Sequence, residues 1–385
     1  MHSNGPYPAD YPVRIGEFWT SRQRQMSSLH EVSYRACFKA ELPAWFIERY
    51  TQPGDVVYDP FAGRGTTAIQ ASLQGRRFIS NDLSPLSRIL AEPRISPPSL
   101  TAVARRLTEI DLGAAAGREA AENEHDLAYY YNQQTLVELC NLRSYLQQQR
   151  TKGIEDGLDA WIRMVATNRL TGHSKGFFSV YTLPPNQATL PARQQKINEK
   201  YNNDFSLYKD VKQIILRKSK QLLSDCPKGL LGMGGLFLTC DAADTYFIAS
   251  GSVDLLVTSP PFLNVVQYEI DNWLRLWFNC IEPDKVSSQM LQTNKLAVWE
   301  DHMKRVFQEF HRVLAVGAHG AFEVGEVQRG KLKLDEVVYP LLVQVGLLPQ
   351  ETMINSQGFT KTSNIWGVAN NRRGTNSNRI VVFRR

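Results

Sequence analysis

Three features of this 385-residue chain predict an α/β fold built on a doubly wound, mostly parallel sheet. Apolar runs of strand length recur with helical stretches between them, a glycine-rich turn joins the first clear strand to a helix, and a long polar, helical segment interrupts the series. In "DVVYDPFAGRGTTAIQASLQGRRFISNDLSP", Val56 to Tyr58 form a strand that ends at Asp59, "TTAIQASLQ" a helix and Phe78 to Ser80 the next strand, one βαβ unit. Further on, "DLLVTSP" and "GAFEVGE" are strands flanking the helical "DHMKRVFQEFHRVL", and "RIVVFRR" supplies the last strand. The interruption, residues 93–235, carries "TAVARRLTEI" and "QTLVELCNLRSYLQQQR". It is expected to be a large, mainly helical insertion between two sheet-forming parts, 1–92 and 236–385, and a candidate for target recognition.

Size and composition bound the rest. A chain this long exceeds the size at which one core usually stops growing, and a hydrophobic content of 43% supports a substantial interior. No run of about 20 apolar residues exists and "MHSNGPYPAD" lacks a signal pattern, so a soluble protein with no membrane association is expected, in the cytoplasm of a bacterial or phage-infected cell. The five cysteines are scattered without a CxxC pair, which argues against a disulfide framework or a metal site. A net charge of +6 favours a polyanionic partner.

"DPFAGRGTTA" sets Gly63 and Gly65 at a strand-to-helix turn, where missing side chains let a ligand approach the backbone and the helix start offers free N–H groups. Asp82, at the end of the next strand, suits a ribose diol. A nicotinamide cofactor would explain that much. A P-loop would need Gly-Lys-Ser/Thr where Gly65, Thr66 and Thr67 stand. Asp59 inside the turn sits badly beside a pyrophosphate but suits the ammonium and sulfonium of S-adenosylmethionine.

The second motif is "DLLVTSPPF". Pro260 and Pro261 cannot extend a ladder, so they end the strand in a stiff, extended turn. Together, "DPFAGRGTT" and "DLLVTSPPF" resemble the S-adenosylmethionine-dependent DNA amino-methyltransferases, which methylate N4 of cytosine or N6 of adenine on a Rossmann-like sheet. "HEVSYRACFKAELPAWFIERYTQPGD", "FHRVLAVGAHGAFEVGE" and "SNRIVVFRR" resemble further parts of that family. The resemblance implies a cofactor loop of Asp59, Phe61, Ala62, Gly63, Gly65, Thr66 and Thr67, with Phe38 and Lys39 near the methionine part. It also implies Asp82 on the ribose, Asp241 in "LTCDAAD" facing the adenine amino group, and a catalytic tetrapeptide of Ser259, Pro260, Pro261 and Phe262.

An exocyclic amino nitrogen is a weak nucleophile because its lone pair is delocalised into the ring. Ser259 Oγ and the Pro260 carbonyl can each accept one of its N–H groups, localising the pair toward the methyl donor. A base inside a duplex must be flipped out first, and Phe262 then offers a stacking face, although an ordinary core position would also accommodate it. In the family this chain resembles, serine rather than aspartate at the position of Ser259 is associated more often with cytosine N4. The expected activity is therefore cytosine-N4 methylation of double-stranded DNA in a restriction-modification or phage-type system, with a cognate restriction endonuclease as a possible partner. Adenine N6, an RNA base amino group and a silent DNA-binding protein are the alternatives.

Candidate DNA contacts are Arg163, Arg169, His173, Lys175, Arg193, Lys196 and Lys200 in the insertion, and Arg372, Arg373 and Arg379 near the end. Recognition loops after the catalytic motif, such as "IEPDKVSSQMLQTNKLAVWEDH", are an alternative to the insertion. The histidines are expected to be structural, since direct methyl transfer needs no dedicated base. Covalent catalysis would need a cysteine beside the prolines; Cys280, the nearest downstream, is expected to be buried in a helix.

Overall fold

The structure is a computed structural model that describes residues 6–18, 26–34, 37–183, 188–226, 234–263, 268–287, 293–327, 331–356 and 377–385. Among these the strands are β1 (Val13–Gly16), β2 (Val56–Asp59), β3 (Arg77–Asn81), β4 (Gly235–Leu238), β5 (Val253–Thr258), β6 (Leu314–Val324), β7 (Glu326–Val327), β8 (Leu332–Lys333), β9 (Leu348–Ser356) and β10 (Ser377–Arg384). Eight form one sheet in the order β1-β9-β10-β6-β5-β2-β3-β4, while β7 and β8 make a small separate ribbon. Only β10 runs antiparallel to its sheet neighbours, so the sheet is mostly parallel, as expected.

Strands β2 and β5 are neighbours, with Val57 beside Leu255 and Tyr58 beside Leu256. From β2 the chain proceeds outward to β3 and β4, then returns to start β5 on the other side. The strand order therefore reverses at the β2/β5 boundary, where an open α/β sheet leaves a crevice beyond the carboxyl ends of its strands. Both motifs end there.

The sheet is covered on both faces, which is why its central strands are apolar at successive positions. Val57, Leu255 and Val257 pack with α1 (Glu41–Tyr50) and α2 (Thr66–Leu73). Tyr58, Leu256 and Phe322 pack with α12 (Leu296–Val313) and α13 (Leu334–Gln344) on the opposite side.

After α3 (Pro85–Ala91), residues 100–222 contribute α4 (Leu100–Glu109), α5 (Ala115–Asn123), α6 (Gln133–Thr151), α7 (Gly157–Arg169), α8 (Pro191–Tyr201) and α9 (Val211–Leu222), with no sheet strand among the described residues. Four begin at a side-chain cap: Ser99, Asn132, Asp156 and Asp210 each accept hydrogen bonds from first-turn N–H groups. Trp161, Leu139 and Ile215 from these helices share one buried cluster with Leu29, with Ile69 of α2 and Leu90 of α3, and with Leu274 of α10 (Tyr268–Phe278). The helical insertion is thus packed into the sheet-bearing part through a common core. The short α11 (Pro283–Ser287) follows α10.

Candidate active site

The glycine loop is held open by backbone geometry. Gly63 and Gly65 have φ of 51° and 76°, in the left-handed region, and a Cβ on Gly65 would lie 2.3 Å from the Ala91 Cβ. Asp82 Oδ2 accepts from Gly63 N at 2.8 Å and Oδ1 from Ser84 N at 2.9 Å. One lone pair on each oxygen remains able to accept a further hydrogen bond. Phe61 is half-buried and Ala62 buried, with Ala62 N donating to Asn81 O at 2.9 Å. The hydroxyls of Thr66 and Thr67 have partners within the protein. Thr66 Oγ1 accepts from Arg64 Nε, and Thr67 Oγ1 donates to Val257 O; both threonines are buried and brace the start of α2.

Asp59 corrects the expectation drawn from its charge. Its Oδ1 accepts from the Thr258 hydroxyl at 2.6 Å and from Phe61 N at 3.1 Å, tying the end of β2 to the residue before Ser259. The carboxyl is 1% exposed and its Oδ2 has no protein partner. Burial pushes its pKa up to about 7, against the pull of those hydrogen bonds. Asp59 Oδ1 therefore braces the two loops against each other.

Arg64 joins the segment around Phe38 and Lys39 to this loop, donating to the carbonyls of His30, Val32 and Phe38 at 3.1, 2.9 and 3.2 Å. Arg94, fully buried, donates to the carbonyls of Leu90, Leu29 and Arg64; burial and the neighbouring Arg64 lower its pKa to about 9. Asn81, also fully buried, donates to the Pro60 and Cys240 carbonyls and accepts from Cys240 N, clamping three strand ends together. Beyond it Asp241 is partly exposed, with Oδ1 accepting from Ala243 N at 2.9 Å and lying 3.8 Å from His302 Nε2. His302 Nδ1 lies 3.2 Å from Arg305 Nη2, and a guanidinium can only donate. The imidazole proton of neutral His302 therefore sits on Nε2, toward Asp241.

On the acceptor side, Ser259 is half-buried, Pro260 buried, Pro261 exposed and Phe262 half-buried. The Phe262 ring lies against Gly325, whose added Cβ would meet it at 3.0 Å. Thr258 pairs with Phe322, so Ser259 comes beside Glu323 of β6. The buried Glu323 carboxyl hydrogen-bonds with Ser259 and Asn378; burial, opposed by those bonds, pushes its pKa up to about 7. Trp299 of α12, 2% exposed, donates from Nε1 to the Pro261 carbonyl at 3.2 Å. A charge inside the otherwise apolar "GAFEV" was a sequence signal for Glu323. Asn81, Arg64, Arg94 and Trp299 are recruited by tertiary contacts that no local pattern announces.

Several expected DNA contacts are occupied elsewhere. Arg163 is 3% exposed, bound to Glu155 at 2.6 Å and to the Leu146 carbonyl. Arg169 is buried against Asn168 and lies 4.0 Å over the Phe177 ring. Arg379 is 7% exposed and paired with Asp335 and Glu326 at 2.6 and 3.1 Å. His173, Lys175, Arg193, Lys196 and Lys200 are exposed, and Arg372 and Arg373 lie outside the described residues. Cys280 is exposed and follows α10 with φ of 52°, a helix-ending conformation, so it is not a buried helix residue. His30 is buried as expected, its pKa lowered to about 3 by desolvation and by Arg94 and Arg64.

A family model for N6/N4 methyltransferases, described as DNA methylase, matches residues 7–87. A type II methyltransferase of Geobacillus stearothermophilus, M.BsoBI, is 22% identical over 82% of this chain and 65% of its own length. Over residues 7–87 the chain is similar to the DNA amino-methyltransferase family. A second relative, type II methyltransferase M.MjaII of Methanocaldococcus jannaschii, is 24% identical over 34% of this chain and 24% of its own. The chain thus spans less than two thirds of either relative. An rRNA methyltransferase of Streptomyces viridochromogenes, 12% identical, overlays 93% of this chain and 90% of its own at a TM-score of 0.34, too loose a likeness to bear on function.

The similarity implies S-adenosylmethionine as cofactor, and the residues present fit it: the glycine loop admits close approach, and Asp82 retains acceptor capacity for a ribose. No group of three or more His, Cys, Asp or Glu among the described residues could hold a metal ion, and no described helix is long and apolar enough to cross a membrane.

Proposed function

We propose that this chain methylates double-stranded DNA at the exocyclic N4 of a flipped cytosine. The observation that carries the reading is the acceptor set at the end of β5: Ser259 beside the β2 glycine loop, with Glu323 at its back. When ionised, Glu323 accepts a hydrogen bond from the Ser259 hydroxyl. Ser259 Oγ then presents lone pairs, and with the Pro260 carbonyl it can take both N–H groups of an amino nitrogen. S-adenosylmethionine, when bound, supplies the methyl on a sulfonium. Direct attack leaves a cationic amine, and the carboxylates of Asp59 and Glu323, on the strands flanking β5, favour that charge. Its proton can then pass to water.

Cytosine is preferred to adenine because position 259 is serine. The cellular setting we propose is a restriction-modification or phage-type system in the cytoplasm, with double-stranded DNA as partner and a cognate endonuclease acting on the same site. Incubation with methyl-labelled S-adenosylmethionine and either unmethylated duplex DNA or tRNA, followed by nucleoside analysis, tests the reading. N4-methylcytosine is expected. N6-methyladenine alone would move the assignment to adenine, and label confined to RNA would end the DNA reading.

A further inference from the structure

We propose that Trp299 is a positioning residue for methyl transfer, fixing where Phe262 stands relative to Ser259 and Pro260; this rests on the tetrapeptide being the acceptor site. The covalent structure of the tetrapeptide leaves few backbone freedoms. Ser259 and Pro260 each precede a proline, which restricts them to extended backbone, and the rings fix φ of Pro260 and Pro261. The first soft torsion on the path from the acceptors to Phe262 is ψ of Pro261, with φ and the side-chain torsions of Phe262 beyond it. Rotation about that bond swings the Pro261 carbonyl and Phe262 together.

That carbonyl is the atom Trp299 holds, by Nε1–H at 3.2 Å. The indole is 2% exposed on α12, whose neighbouring Met303, Val306 and Phe307 are packed in the core, so the donor is anchored in a rigid element. On its other side Phe262 rests on Gly325, whose carbonyl accepts from Leu334 N at 3.2 Å. The ring is set from two directions: its torsion by Trp299, its depth by Gly325. Together they define the gap between the stacking face and the acceptors, which must match the thickness of one base. Packing alone could be met by any large apolar ring at 299, so the indole N–H is the discriminating atom.

Trp299→Phe keeps a ring and removes the donor; Met303→Ala, in the same buried face of α12, perturbs packing and leaves the indole N–H in place. In the full-length protein, Trp299→Phe is expected to lower kcat on duplex DNA about tenfold, while the calorimetric Kd for S-adenosylhomocysteine stays within about twofold. Amide exchange at Phe262 and Leu263 should quicken. Met303→Ala should lower Tm while leaving kcat and that exchange near wild type. Unchanged kcat and exchange in Trp299→Phe, or equal losses in both variants, would overturn the proposal. If the wild-type protein transfers no methyl to DNA, the functional reading fails, and exchange at residues 262 and 263 still decides the tie: equal rates refute it.

Discussion

The two sides of the cleft are held in different ways. On the cofactor side, Asp82, Asn81, Arg64 and Arg94 bind mostly backbone N–H and carbonyl groups, so the loop is stitched to several segments at once. On the acceptor side, Ser259, Pro261 and Phe262 are each restrained chiefly by one distant residue: Glu323, Trp299 and Gly325. The first arrangement resists a single change. The second lets single changes retune chemistry while binding survives, because each contact controls one degree of freedom. Cofactor-side variants should therefore register in stability and cofactor affinity, and acceptor-side variants in turnover.

The largest expected effect, on the acceptor side, is that of Ser259→Ala, which should reduce turnover by about 10²–10³-fold while S-adenosylhomocysteine binding by calorimetry is nearly unchanged. Parallel loss of both would erase the contrast. Next is Gly65→Ala: the new Cβ meets Ala91 at 2.3 Å in a left-handed backbone, so urea unfolding should show a loss of about 2–4 kcal/mol together with weakened cofactor binding. Asp82→Asn should weaken S-adenosylmethionine about tenfold, with kcat at saturation retained, since a carboxylate acceptor for the diol is lost while the chemistry is untouched.

A subtler effect concerns pH. Protonated Glu323 donates to Ser259 and occupies a lone pair that the amino group needs, so turnover should fall as pH drops through about 7. Asp59, also raised to about 7, titrates in the same window, and Glu323→Gln should flatten the acid limb without abolishing it. An identical limb in the variant would remove Glu323 from the reaction. The smallest effect belongs to the surface of α8: replacing Arg193, Lys196 and Lys200 together by alanine should reduce the slope of log K against log salt by at most about three, with cofactor affinity unchanged.

The strand-turn-helix units were legible because periodicity and glycine placement are local properties: the β2–α2–β3 unit and the abrupt end of β5 at the prolines stand where the residues predict. Charge was read less well. Arg163, Arg169 and Arg379 look in sequence like any exposed cation, yet each has found Glu155, the Asn168 amide or Asp335 in the fold. Phe177 and Phe178, set among basic residues in a proline-broken stretch, are buried. Asp59 fits two roles by composition, and only its 2.6 Å bond from Thr258 shows which one Oδ1 fills. Trp299 carries no local mark, since its partner lies 38 positions earlier in the chain.

The interior shared by residues 100–222 and the sheet-bearing part bears on engineering. Leu29, Ile69 and Leu90 are covered by the same helices that Trp161 and Ile215 belong to. Those helices are therefore not a cassette: transplanting them between enzymes would bare apolar surface beside the cofactor loop in the donor and leave unmatched surface in the recipient. The proposed role of these helices in DNA recognition is therefore better tested by substituting the outer residues of α8 than by exchanging the helices whole.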